Sequence, residues 1–267
     1  MKRICELMSL KGRVAVITGG AGHIGSAMAE TLAELGANIV ILDISLKSCL
    51  HVCERISKEY AVEALPLAVN LAQGEHILTV PDKVVNKFGC LDILVNCAAF
   101  VGTSKLQGWT TSFEEQSADT WQKALDVNLT APFLLTQACL PALKGSGHGS
   151  VINVASIYGI QGPDMRLYEG TQMGNPAAYA ASKGGLMQLT RWLATVLAPD
   201  VRVNAITPGG VSRGQSEVFQ RRYIERTPIK RMAVEEDFKG AVAYLSSDLS
   251  SYVTGQNIII DGGWTVW

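Results

Sequence analysis

The chain has 267 residues, 48% of them hydrophobic and 18% charged, and 23 basic against 24 acidic side chains leave a formal net charge of −1. That composition excludes a disordered chain, and near-zero charge without blocks of like sign offers nothing to nucleic acid or an anionic membrane surface. No apolar run approaches the roughly 18 residues of a membrane span, and Glu6 breaks the short apolar start after Lys2 and Arg3, so the sequence reads as cytoplasmic.

Seven Val- and Ile-rich runs alternate with helical segments: Val14–Thr18, Asn38–Asp43, Ala64–Val69, Asp92–Asn96, Ser150–Val154, Val201–Ile206 and Asn257–Ile260. Each is continuously apolar, as a parallel strand covered on both faces must be. The expected fold is therefore α/β: a single-domain, doubly wound Rossmann fold, with a seven-stranded parallel sheet flanked by helices over residues 1–267. Two helices are expected at Asp119–Leu143 and Pro176–Ala198, and long irregular stretches at Ala98–Gln116 and Ile157–Asn175 follow strand ends, where such sheets bind ligands.

The first strand runs into Thr18-Gly19-Gly20-Ala21-Gly22-His23-Ile24-Gly25 and then a helix with apolar Ala27, Ala29, Leu32 and Leu35. Strand, glycine turn and helix in that order suit a pyrophosphate, which backbone amides and the helix N-terminus can approach. Asp43 closes the second strand 18 residues after Gly25. A carboxylate there accepts hydrogen bonds from both adenosine ribose hydroxyls and repels a 2′-phosphate, which favours NAD over NADP. Asn96-Cys97-Ala98-Ala99 ends the fourth strand with small side chains that let the backbone pass close to a flat adenosine, although small residues also serve core packing.

The six cysteines Cys5, Cys49, Cys53, Cys90, Cys97 and Cys139 form no CxxC pair, and a reduced state is expected. Cys49, His51 and Cys53 share one helix but fall short of a zinc ligand set, so no metal is expected.

Tyr179-Ala180-Ala181-Ser182-Lys183 puts a tyrosine and a lysine on one helical face. Bringing a phenol from its usual pKa of about 10 to 7 or 8 takes about 3–4 kcal/mol. A lysine cation about 5 Å away supplies about 3 kcal/mol at an effective dielectric of about 20.

The glycine turn, Asn96-Cys97-Ala98-Ala99, Asn128, Ser156, Tyr179 with Lys183, Pro208-Gly209 and Asp261-Gly262-Gly263 together resemble the classical short-chain dehydrogenase/reductase family, and they span Thr18 to Gly263. The resemblance implies Tyr179 as acid/base and Ser156 as the donor that polarises the substrate oxygen. It implies Lys183 as binder of the nicotinamide ribose and depressor of the Tyr179 pKa, and Asn128 as holder of a water in a proton relay. It further implies NAD contacts from Gly19, Gly22, His23, Ile24, Gly25, Asp43, Asn70, Leu71, Asn96, Ala98, Tyr179, Lys183, Pro208 and Gly209, a small-molecule substrate, and a homotetramer or homodimer.

Three departures mark this chain. His23 stands at the middle glycine of TGxxxGxG, and the turn also fits the TGxxGxxG of sugar-nucleotide epimerases and dehydratases, but only 84 residues follow Lys183, little for a separate substrate domain. Ser156 and Tyr179 are 23 residues apart, so their loop carries an insertion; Tyr168 inside it has Gln172 four residues on and is rejected as the base. Arg213 replaces a threonine that many relatives place in the loop after Pro208-Gly209.

Between Arg213 and Arg231 six cations (Arg213, Arg221, Arg222, Arg226, Lys230, Arg231) face two anions, Glu217 and Glu225. This stretch, within a substrate loop of about 208–231, suits phosphate or carboxylate, or equally a solvated helix. The 157–171 insertion and the Trp264-Thr265-Val266-Trp267 ending are similar to oxidoreductases of flagellin modification and amino-sugar pathways, which implies a phosphorylated or nucleotide-linked sugar. The expected activity is NAD(H)-dependent interconversion of a secondary alcohol and a ketone. An epimerase or dehydratase with tightly bound NAD, and a non-catalytic NAD-binding sensor, are the alternatives.

Overall fold

The structure, a computed structural model, describes residues 1–102 and 106–267. All seven expected strands form: β1 (Val14–Thr18), β2 (Asn38–Asp43), β3 (Ala64–Ala68), β4 (Ile93–Asn96), β5 (Gly149–Val154), β6 (Val201–Pro208) and β7 (Asn257–Ile260). They pair in parallel in the order β3-β2-β1-β4-β5-β6-β7. Side chains on a strand alternate between faces, and each face here has its own core. From β1, Ala15 and Ile17 pack with Met28, Leu32 and Val242, whereas Val14 and Val16 pack with Val84, Leu135 and Leu193. That double burial is why the run carries no polar alternation.

Ten α-helices occupy the connections among the described residues: α1 (Ile4–Met8), α2 (His23–Glu34), α3 (Leu46–Glu59), α4 (Gly74–Leu78), α5 (Val80–Phe88), α6 (Ala118–Leu125), α7 (Ala131–Gly145), α8 (Ala177–Leu197), α9 (Glu217–Arg226) and α10 (Lys239–Ser246). One face of the sheet is covered by α2, α3 and α10 through Met28, Cys49 and Val242; α5, α7 and α8 cover the other through Val84, Cys139 and Leu193. The helix expected over Asp119–Leu143 is in fact α6 and α7, joined by a π-helical turn at Asp126–Thr130 that holds Asn128. Apolar periodicity runs through both halves, so the sequence does not announce the extra residue of a π-turn.

All six cysteines are free. Burial pushes the Cys53 and Cys139 thiols up to about 12, which suits packing rather than reactivity. No described helix is long and apolar enough to cross a membrane.

Two features aim this scaffold at one spot. The winding direction reverses beside β1, where Thr18 pairs with both Leu42 of β2 and Asn96 of β4, so the crevice at a topological switch point opens just after Thr18. A buried polar chain then fixes α8 to the sheet: Asn96 Nδ2 donates to Asn153 Oδ1 at 2.8 Å, and Asn153 Nδ2 donates to Thr190 Oγ1 at 2.9 Å. Asn153 is wholly buried, so its replacement by an apolar residue strands polar groups on both neighbours. Asn153→Leu is expected to lower the unfolding free energy by about 2 kcal/mol in urea titration followed by circular dichroism; a loss under about 0.5 kcal/mol, the range of neutral surface changes, would show that the chain does not anchor α8.

Candidate active site

At the switch point the glycine turn is too tight for side chains. Gly19 has φ of 62°, and a Cβ on it would lie 2.8 Å from the Ala98 Cα; a Cβ on Gly25 would lie 2.2 Å from the Gly19 carbonyl oxygen. Thr18 Oγ1 accepts hydrogen bonds from the backbone N–H groups of Cys97 and Ala98, both at 3.0 Å, which stitches the end of β1 to the segment after β4. Helix α2 starts at His23 with Gly22 as its cap, so the free N–H groups of its first turn and the positive end of its dipole border the crevice. Asp43 closes β2 beside them; its carboxylate accepts from Ile44 N at 2.8 Å and Ala21 N at 3.3 Å. The resulting cleft, about 470 Å³, is lined by Gly19, Gly22, His23, Ile24, Gly25, Asp43 and Ala98 on one side and by Tyr179, Lys183, Pro208 and Gly209 on the other. Glycine turn, helix N-terminus and strand-end carboxylate form a donor and acceptor set that fits a dinucleotide.

Ser156 follows β5, and its hydroxyl accepts from Tyr158 N at 3.2 Å as the chain turns. That turn packs on the backbone of α8: a Cβ on Gly159 would lie 2.7 Å from the Lys183 carbonyl carbon. The close approach sets Ser156 against Tyr179 despite the 23 residues between them. Lys183 is buried, donates from Nζ to the Val154 carbonyl at 2.8 Å, and holds its charge 5.9 Å from the Tyr179 ring centroid. Desolvation pushes the Tyr179 hydroxyl above its ordinary value, opposed by the Ser156 hydroxyl, and brings the Lys183 ammonium down to about 8. The same burial that brings the two together disfavours both charges, and for the chain by itself the net direction at the phenol is upward.

A second cavity of about 240 Å³ opens beyond Ser156 and Tyr179, walled by Trp109, Tyr158, Tyr168, Phe219, Tyr223 and Met232. Ser156, Tyr179 and Gly209 line both spaces, so the cleft and the cavity meet at the tyrosine. The inserted 157–175 segment and α9 make the outer wall. Tyr168 packs on Phe219 with ring centroids 5.5 Å apart, Tyr223 stacks on Trp264 at 4.2 Å, and the Tyr223 hydroxyl accepts from Gly210 N at 2.6 Å.

Most of the basic stretch braces this wall instead of facing the cavity. Arg222 donates to the carbonyls of Leu167 and Glu169, Arg226 pairs with Asp164 and lies over the Trp264 ring, Lys230 caps the Glu225 carbonyl, and Arg231 forks onto Asp237. Arg213 pairs with Glu235 at 3.3 Å and lines the dinucleotide cleft. None of the six lines the second cavity, so their reading as recognition groups for a substrate phosphate is corrected.

Two further expectations change. Asn96 turns its side chain into the sheet toward Asn153, so only its backbone remains near the cleft. Asn70 and Leu71 follow β3; the Asn70 oxygen accepts from Ala72 N at 3.0 Å, and partly buried Leu71 packs against the core. Asn128 is wholly buried, and its side chain is committed to the protein: it accepts from Phe100 N at 2.6 Å and donates to Phe100 O at 3.2 Å and Ser182 Oγ at 3.0 Å. Both amide hydrogens are spent, so the side chain positions the loop after β4 against α8 instead of holding a water by donation. Residues the sequence did not single out are Val154, Ala155 and Val211 in the cleft and Trp109, Tyr158, Asn175, Phe219 and Tyr223 in the cavity; only long-range packing assembles them. Among the described residues no group of three His, Cys, Asp or Glu side chains is placed to hold a metal.

A family model described as enoyl-(acyl carrier protein) reductase matches residues 19–265. The chain is 33% identical to trans-4-hydroxycyclohexanecarboxylate dehydrogenase of Sinomonas cyclohexanicum over 99% of its length and 96% of that protein's. It is 28% identical to post-translational flagellin modification protein A of Campylobacter coli over 96% and 99% of the two chains. Among solved structures, a short-chain dehydrogenase of Leptospira borgpetersenii with bound NAD+ superposes with a TM-score of 0.84 at 34% identity, covering 99% of this chain and 96% of that one. A gluconate 5-dehydrogenase of Burkholderia cenocepacia in complex with NADP and tartrate does so with a TM-score of 0.86 at 27% identity, covering 99% and 100%. Likeness of this extent, running from the glycine turn through the final residues, means that the chain belongs to the classical short-chain dehydrogenase/reductase family of oxidoreductases.

Proposed function

We propose that the chain is an NAD(H)-dependent oxidoreductase that interconverts a secondary alcohol and a ketone on a sugar or sugar derivative, with residues 1–267 acting as one catalytic domain and 208–231 as its substrate loop. The observation that carries this reading is the junction of the two spaces at Tyr179, with Ser156 beside it and the Lys183 charge behind it.

The dinucleotide bound in the cleft supplies the acceptor or donor of one hydrogen with its electron pair. In the oxidising direction, ionised Tyr179 takes the hydroxyl proton as the carbinol C–H bond breaks, and in reduction its O–H returns a proton to the forming alkoxide. Ser156 Oγ donates to the substrate oxygen and holds it in line with Tyr179. Lys183, anchored on the Val154 carbonyl, supports the phenolate electrostatically and presents its remaining N–H groups to the ribose next to the nicotinamide. Asp43 accepts the adenosine ribose hydroxyls, which supports NAD over NADP. Exposed Trp121, Phe133 and Trp192 on α6, α7 and α8 support assembly as a homotetramer or homodimer.

Three outcomes test this reading. Tyr179→Phe keeps NADH binding, measured by fluorescence titration, and loses about 10²–10⁴-fold in kcat/KM; retained turnover would remove Tyr179 from the chemistry. Asp43→Ser shifts the NADP-to-NAD ratio of kcat/KM upward by about tenfold or more, since a tenfold change reflects only about 1.4 kcal/mol of relieved repulsion; an unmoved ratio counts against Asp43 as the selector. Because desolvation raises the Tyr179 pKa, alcohol oxidation needs the form that gains with pH and ketone reduction the form that loses. Oxidation is therefore expected to climb on the alkaline side of neutrality while reduction falls, and parallel profiles in the two directions would contradict proton transfer through Tyr179.

A further inference from the structure

The cavity beyond Tyr179 has a chemistry of its own. Among the described residues that line it there is no charged side chain, and at about 240 Å³ it lies below the roughly 300–1,000 Å³ of drug-sized ligand sites. Six aromatic residues line it, and apart from Ser156 and Gln215 three polar groups stand among them. The Tyr158 and Tyr168 hydroxyls share a 2.7 Å hydrogen bond, which uses one of their two hydrogens and leaves the other free to donate. The Asn175 side chain is hydrogen-bonded to the Tyr168 hydroxyl, which leaves its buried Oδ1 without a partner in the protein. Buried amide oxygens are nearly always paired, so an unpaired one on a residue that lines the cavity points to a donor carried by the ligand, reached by a small turn of the side chain.

The inserted segment is built to hold these groups still. Arg222 grips the Leu167 and Glu169 carbonyls, and Asp164 joins Arg166 to Arg226 of α9. Tyr168 and Tyr158 are thus fixed in the wall opposite the sheet, with the aromatic faces of Phe219 and Tyr223 next to them. Such a site rewards a ring that stacks and a hydroxyl that donates, and it penalises an anion, which would lose its hydration with no cation among the described lining residues to replace it.

We propose that the substrate is a compact, uncharged alcohol or ketone bearing at least one further hydroxyl, a neutral cyclic polyol or sugar, whose distal hydroxyl donates to Asn175 Oδ1 and meets the Tyr158–Tyr168 pair. Phosphate esters and nucleotide conjugates are poor ligands for this cavity. The inference rests on the oxidoreductase reading for its chemistry, but its recognition claim is separable from turnover.

The test uses the full chain with NAD and four probes: a cyclitol, a neutral hexose, the corresponding hexose phosphate, and cyclohexanol. Turnover is followed by reduced nicotinamide, and binding to the Tyr179→Phe variant by calorimetry. The neutral polyols are expected to exceed the phosphate ester at least about tenfold in both measures, and Asn175→Leu to lower the polyol-to-cyclohexanol ratio about tenfold, mainly through KM, the size of one lost polar contact. Tyr168→Phe, which keeps the ring on Phe219, lowers the same ratio and guards against misfolding of the Asn175 variant. Preference for the phosphate ester, a ratio unmoved by either substitution, or failure of the polyols to bind at all overturns the proposal. Polyol binding that responds to Asn175→Leu without any nicotinamide reduction upholds it and defeats the oxidoreductase reading instead.

Discussion

The site turns on a lysine charge buried between α8 and the end of β5. Lys183 has one hydrogen bond to the protein, to the Val154 carbonyl, and its ammonium is already lowered to about 8 by loss of water. Tyr179, four residues earlier, carries the matching penalty on its phenolate. Each charge is disfavoured alone, and each is the nearest remedy for the other, so proton movement at the tyrosine is coupled to the state of the lysine. Helix geometry makes the pair, and the anchoring of α8, through Thr190 on Asn153 and through the backbone of Gly159 on Lys183, sets it against Ser156 and the end of β5. The fold and the chemistry therefore share the same few contacts.

The strands were legible because their sequence signal is a direct consequence of burial on both faces; the differences are at their ends, where β3 stops at Ala68, β4 starts at Ile93, β5 starts at Gly149 and β6 runs on to Pro208. The glycine turn, the strand-end position of Asp43 and the shared helical face of Tyr179 and Lys183 were legible for another reason, local geometry at a turn, a strand end or a helix, whereas Ser156 was singled out only through the family resemblance. The side-chain directions of Asn96 and Asn128 were not legible because motif membership does not say which way a side chain turns. Asn96 and Asn128 prove to be positioning groups whose partners, Asn153 and Phe100, lie 57 and 28 residues away. The basic stretch misled similarly, since counting its charges could not reveal that the insertion holds Arg222 and Arg226 while Glu235, the Glu225 carbonyl and Asp237 hold Arg213, Lys230 and Arg231.

The substrate cavity was the least legible part. Its wall draws on Trp109, the segment after Ser156, Asn175, α9 and Met232, which no periodicity links. What joins most of them is a small hydrophobic cluster of Ile157, Leu167, Tyr168, Phe219, Tyr223, Met232 and Trp264, distinct from the two cores that sandwich the sheet, while Trp109 belongs to another small cluster with Ala124, Ala178 and Tyr179.

That separation bears on how such a protein diversifies. The sheet rests on the large cores, whereas most of the cavity wall rests on a satellite core of its own, stapled by arginines. Substitutions on the satellite can repaint the outer wall while the sheet keeps its alignment, and their destabilising effects stay local. Trp109 is the exception, since it shares a third small cluster with Tyr179. A wall exchanged as one block from a relative would therefore leave the sheet untouched but would carry its consequences to the tyrosine through that one indole.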